Sequence, residues 1–134
     1  APEKAGRKRG SRRLRLWAHI YLHMDAHGFD LVPRLIGRGG ANMRRIAERT
    51  QAKIRIRGRG SGHLESDSKH EAPTPLMVAV TTDRNDAGSF RHAMEMILAE
   101  LRQVEQHFHH FCQQQGFLHA GPYYSLAAVA EAAD

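Results

Sequence analysis

The chain has 134 residues, 41% apolar and 25% charged, the proportions of an ordinary soluble globular protein with room for one domain and its tails. No apolar run approaches the roughly 20 residues that a membrane helix needs, and a single cysteine, Cys112, excludes an internal disulfide. The net charge of +6 is unevenly spread: residues 1–15 hold seven basic side chains against Glu3, residues 34–59 hold nine against Glu48, and residues 60–134 are net −6. Positive charge gathered into one arm and one short stretch, over an acidic remainder, makes a patch that attracts polyanions.

Residues 1–13 have dense like charge and no apolar periodicity, which predicts a disordered basic arm. Its Arg-Lys-Arg run is of the kind read by nuclear import factors. The lone cysteine and the lack of an apolar signal stretch make a reducing, intracellular location the expectation, and the basic run puts the nucleus ahead of the cytoplasm. Residues 14–24 alternate, with Leu14, Leu16, Ala18, Ile20 and Leu22 facing one way and Trp17, His19, Tyr21 and His23 the other, a half-buried strand. His19 and His23 are expected in solvent. Asp30 is placed to cap a short helix over 31–36, which tolerates Pro33 in its first turn and stops at Gly37. A second helix over 41–50 follows the glycine cluster.

Residues 52–57 alternate again, with Ile54 and Ile56 inward and Lys53, Arg55 and Arg57 outward. Residues 58–75 are rich in Gly, Ser, Asp, Glu and Pro and read as a long exposed loop. Residues 76–82 are apolar almost throughout, a central strand. Asp86 is placed to cap a long helix whose apolar positions, from Phe90 through Ile97, Leu101 and Val104 to Phe108 and Phe111, keep three-four spacing until Gly116. In the tail, residues 116–134, an alanine-rich stretch predicts a short helix over 125–133 capped by Ser125.

Gly37-Arg38-Gly39-Gly40 lacks the Gly-Lys pair of a Walker A loop. It also follows a helix rather than a strand and has Asn42 where a dinucleotide fingerprint needs glycine. What remains is a tight turn between two short helices, able to bring backbone amides and a helix N-terminus against a phosphodiester. The run from Phe29 to Ile56, FDLVPRLIGRGGANMRRIAERTQAKIRI, resembles the core of a KH domain, with Ile36 to Gly40 matching Ile-Gly-x-x-Gly and Met43 standing where a branched aliphatic residue is usual. The continuation Ile56-Arg57-Gly58-Arg59-Gly60-Ser61-Gly62 resembles the branchpoint-binding, STAR and splicing-associated proteins among eukaryotic KH domains.

The resemblance implies an α+β, type I KH fold over 14–115, β-α-α-β-β-α, with a three-stranded antiparallel sheet against three helices and a variable loop at 58–75. It further implies a groove for about four nucleotides of single-stranded RNA, single-stranded DNA being the related ligand, in RNA processing or a ribonucleoprotein. Gly37, Gly39 and Gly40 would admit the sugar-phosphate backbone and Arg38 would meet a phosphate. Val32, Leu35, Ile36, Met43 and Ile54 would floor the groove, with Lys53, Arg55 and Arg57 reaching bases or phosphates from the strand. No aromatic residue is expected in it. Arg44, Arg45 and Arg49 read as a solvated helix face, and His107, His109, His110 and Cys112 fall short of a zinc site. No catalytic motif, cofactor or metal site is expected. A competing expectation makes the fold a protein-assembly platform, using Phe108 and Phe111 on the long helix together with the tail.

Overall fold

The computed structural model describes residues 14–82 and 87–132. The basic arm and Asp86 lie outside them. In chain order the elements are β1 (Leu14–Leu22), α1 (Leu31–Ile36), a 3-10 turn (Arg38–Gly40), α2 (Ala41–Thr50), β2 (Lys53–Arg57), β3 (Met77–Thr82), α3 (Ala87–Gln115) and β4 (Tyr124–Ala132). The strands form one antiparallel sheet in the order β2-β3-β1-β4.

Alternation decides which side of the sheet the helices cover. Ala18, Ile20 and Leu22 of β1 and Val78 and Val80 of β3 join one buried cluster with Leu35 of α1, Ile46 of α2 and the α3 stripe Ala93, Ile97, Leu101, Val104 and Phe108. Each Val, Leu, Ile or Phe among them contributes roughly 1.5–3 kcal/mol when fully buried. Three-four spacing brings the α3 stripe to one side over 29 residues. The helix then stops where Gly116 turns to φ +76° and its N–H, with that of Phe117, returns to the carbonyl of Cys112.

Two local expectations need correction. Asp30 precedes α1, but its backbone is left-handed (φ 59°) and its carboxylate makes no capping bond; its main-chain carbonyl instead accepts the N–H of Arg34. The alanine-rich tail is β4, not a helix, so the sheet has a fourth strand beyond the three expected. Alanine favours helix in isolation, yet its propensity is small per residue. The free edge of β1 offers a full row of unpaired backbone groups, and β4 answers it along its whole length, from Leu14 opposite Ala132 to Leu22 opposite Tyr124. Tertiary pairing overrides the local preference.

Candidate nucleic-acid interface

The glycine turn is held from behind. Asn42, in the first turn of α2, donates its amide to the carbonyl of Leu35 at 3.1 Å. A β-carbon on Gly37 would stand 2.7 Å from the Asn42 side chain, so only glycine admits that brace. In front the turn is open: Gly39 has φ +62°, and a β-carbon there would meet nothing within 4 Å. The Gly39 carbonyl is tied back by the guanidinium of Arg44 at 3.0 Å, and the Gly40 N–H by the carbonyl of Gly37 at 3.0 Å. The Arg38 side chain is exposed at the tip, without a hydrogen bond or ion pair among the described residues, while its carbonyl accepts the Ala41 N–H. The result is a braced, open, cationic turn at the N-terminus of a ten-residue helix, where backbone dipoles favour an anion.

Two further bonds fix the surrounding helices. Arg34 donates Nε to the Phe29 carbonyl at 2.6 Å, with its guanidinium 4.7 Å from the centre of the Phe29 ring. Arg45 pairs with Glu100 of α3 at 2.8 Å, so Arg45 ties α2 to α3 and is more than a solvated face. At the N-terminal end of α1, an open cleft of about 780 Å³ lies between Leu31, Val32 and Pro33, residues of the preceding stretch from His23 to Asp30, and Arg59, Gly60 and Pro75 at the base of the 58–75 loop.

A glycine turn braced by Asn42 between two short helices, in a chain with an edge strand of alternating Ile and basic residues, agrees with a sequence profile described as KHDC4/BBP-like, KH-domain type I, which matches residues 25–101. The chain belongs to the type I KH domain family. It is 26% identical over 94 residues, 69% of its length, to an uncharacterized protein of Schizosaccharomyces pombe. It is also 56% identical over 36 residues, 27% of its length, to a Tudor and KH domain-containing protein homolog of Drosophila melanogaster. It spans 18% and 6% of those two proteins. KH domains are modules that bind single-stranded nucleic acid.

The fold divides the expected KH groove residues into three groups. Val32, Ile36, Met43 and Ile54 are half-buried, with part of each side chain available to a ligand. Leu35 is 0% exposed inside the core, so it supports the floor without touching what lies on it. Lys53, Arg55 and Arg57 alternate with Ile54 and Ile56 on the edge strand β2, which places them on the sheet face away from the helices. Arg59 lies beyond the strand and past Gly58, whose φ of 97° ends the alternation, and it lines the cleft beside α1; the glycines around it concealed that placement.

The KH variable loop is exposed but ordered by its own carboxylates. Glu65 receives both Nε and Nη2 of Arg57 at 3.1 Å, a bidentate pair. Glu71 accepts the backbone N–H groups of Gly60 at 3.0 Å and Gly62 at 2.7 Å, and these donors hold its carboxyl below the usual carboxylate range. His19 and His23 are not simply in solvent. His23 Nε2 lies 2.8 Å from the Ser125 hydroxyl of β4. His19 sits between Trp17 and Tyr21, where burial first and the charge of Arg57 second push its pKa down. Cys112 is buried, and His109 meets the Tyr123 hydroxyl at 3.3 Å. Among the described residues no three His, Cys, Asp or Glu side chains converge on a metal position, and no helix is long and apolar enough to cross a membrane.

Proposed function

We propose that this KH domain grips about four nucleotides of single-stranded RNA. The groove runs between α1 and the glycine turn on one side and the open edge of β2 with the variable loop on the other. The observation that carries this reading is the turn itself, with unfilled space before Gly39, an exposed Arg38 and no carboxylate partner for that charge among the described residues. A phosphodiester supplies the missing charge, and a helix N-terminus adds to the attraction. Val32, Ile36, Met43 and Ile54 offer apolar contact to base faces. The side of edge strand β2 that faces away from β3 has amides and carbonyls for base edges. RNA processing in the nucleus is the setting we infer, supported by the branchpoint-binding likeness of the family and by the Arg-Lys-Arg run of the arm.

The assembly-platform alternative rests on Phe108 and Phe111 and on the tail, where Phe117, Leu118 and Leu126 are exposed, but its two helix side chains are turned into the core. Phe108 is 0% exposed and Phe111 is half-buried, and both pack against Phe29. Replacing Arg38 and Gly39 together by Asp should weaken RNA binding by about a hundredfold or more, since it sets two carboxylates where a phosphate must sit. Fluorescence anisotropy with a random single-stranded RNA pool measures the loss, and circular dichroism checks the fold. Unchanged affinity in a folded variant removes the groove reading.

A further inference from the structure

The sheet face turned away from the helices carries a grid of side chains that the groove does not use. Antiparallel partners share a face, so Lys53, Thr81 and Trp17 form one row, Arg55, Ala79 and His19 the next, and Arg57, Met77 and Tyr21 the third. Read down the strands, the β2 column is cationic and the β1 column is aromatic. The Trp17 and His19 rings lie 4.6 Å apart at 47°, and Tyr21 meets His19 edge-on at 6.1 Å. All three rings are half-buried, and none belongs to the core beneath the helices.

The grid is open at one end only. Met77 is 3% exposed, and beside it Arg57 is held by Glu65. Along the Trp17 and His19 rows, Arg55 is exposed and has no ion pair among the described residues. Strands lie about 4.8 Å apart, so Arg55 is rooted roughly 10 Å from His19, across the small side chain of Ala79. Aromatic rings in outward strand positions satisfy β propensity without further purpose. A cationic column beside them matches a polymer with flat rings on one side and charged links on the other. An acidic polypeptide would use the charges and leave the rings idle. An apolar protein surface would leave Arg55 buried without a partner.

We propose that the outer sheet face, through Trp17, His19 and Arg55, is a second contact surface for single-stranded RNA, taking up nucleotides that continue past β2 from the groove. It rests on the groove reading for the strand it extends. β2 serves both surfaces, with Ile54 toward the helices and Arg55 away from them. Bases stack on aromatic side chains without sequence preference, and arginines beside them meet the phosphates. The lowered proton affinity of His19 keeps its ring neutral near neutral pH, a flat surface suited to stacking.

Trp17 is the chain's one tryptophan and a built-in reporter. The whole 134-residue chain is titrated with oligo(U), oligo(C) and oligo(A) of four and of twelve nucleotides, by tryptophan fluorescence and by anisotropy. Twelve-mers should quench Trp17 and bind roughly tenfold or more tightly than four-mers, the gain expected from one stacked base. Four-mers, held in the groove, should leave Trp17 unquenched. The double variant Trp17→Leu and His19→Leu should lose that length increment and keep the four-mer affinity.

Twelve-mers that bind without quenching Trp17, or a length increment that survives in the double variant, overturn the sheet-face proposal and leave the groove intact. Equal quenching by poly-glutamate overturns it too, by assigning the face to polyanions at large. Quenching by twelve-mers that Arg38 and Gly39 replacement leaves unchanged, with no four-mer binding, upholds the face and removes the groove. No binding by any oligonucleotide removes both.

Discussion

Two glycine- and arginine-rich segments of this chain have nearly the same composition and opposite electrostatic states. In the turn Gly37 to Gly40, the brace is neutral, supplied by the Asn42 amide, and Arg38 projects unpaired among the described residues. In the segment that begins at Arg57, Glu65 neutralises the arginine, and Glu71 occupies the amides of Gly60 and Gly62. One segment waits for an external anion, and the other carries its own. Local sequence rich in Gly and Arg is thus an incomplete sign of phosphate binding; what decides is whether a carboxylate elsewhere in the chain reaches the same donors.

The largest effect that would break this contrast is the loss of binding on replacing Arg38 and Gly39 by Asp, because it gives the open turn the internal anions that the loop already has. A smaller effect, in the opposite direction, is expected from Glu65→Gln. Releasing Arg57 should strengthen RNA binding about two- to fivefold at low salt and steepen its salt dependence, as one more cation becomes available to displace counterions. Titrations at two salt concentrations check both, and unchanged affinity with unchanged slope would show that Arg57 lies beyond the reach of RNA. The pair itself is partly solvated, so its loss should cost stability only about 0–1 kcal/mol.

Glu71 offers a test by pH. Its folded carboxyl is more acidic than its unfolded one because two N–H groups stabilise the charged form, so its contribution is full above the ordinary value of 4.5 and is lost as pH falls through the lower folded value. Amide-exchange protection at Gly60 and Gly62 should decline over that acid range in the native chain. In Glu71→Gln it should start low and stay flat. His19 runs the other way. Its proton is bound more weakly when folded, so below the ordinary value of 6.5 the unfolded chain takes up a proton first and stability falls, levelling off once pH drops below the folded value. Urea midpoints measured from pH 7 to 5 should fall less in His19→Gln than in the native chain, by the smallest margin of the set.

Periodicity alone placed β1, α2, β2, β3 and α3, because each must bury one face and the spacing of Ile20, Ile46, Val80, Ile97 and Leu101 states which. The glycine spacing marked the turn, and the alternation of residues 53–57 marked an edge strand with unlike faces. Tertiary structure decided the rest. Alanine-rich residues toward the C-terminus became β4 because the edge of β1 had backbone groups to satisfy, a need written in the distant stretch from Leu14 to Leu22. Leu35 passed from groove to core because α3 lies behind α1, which no local pattern records. The partnership of Arg57 with Glu65 and of Glu71 with two glycine amides arises only when the loop folds back on itself. Burial patterns are local and survive in the sequence. Pairing of backbone edges, and the choice of which carboxylate meets which donor, depend on distances that exist only after the chain has closed.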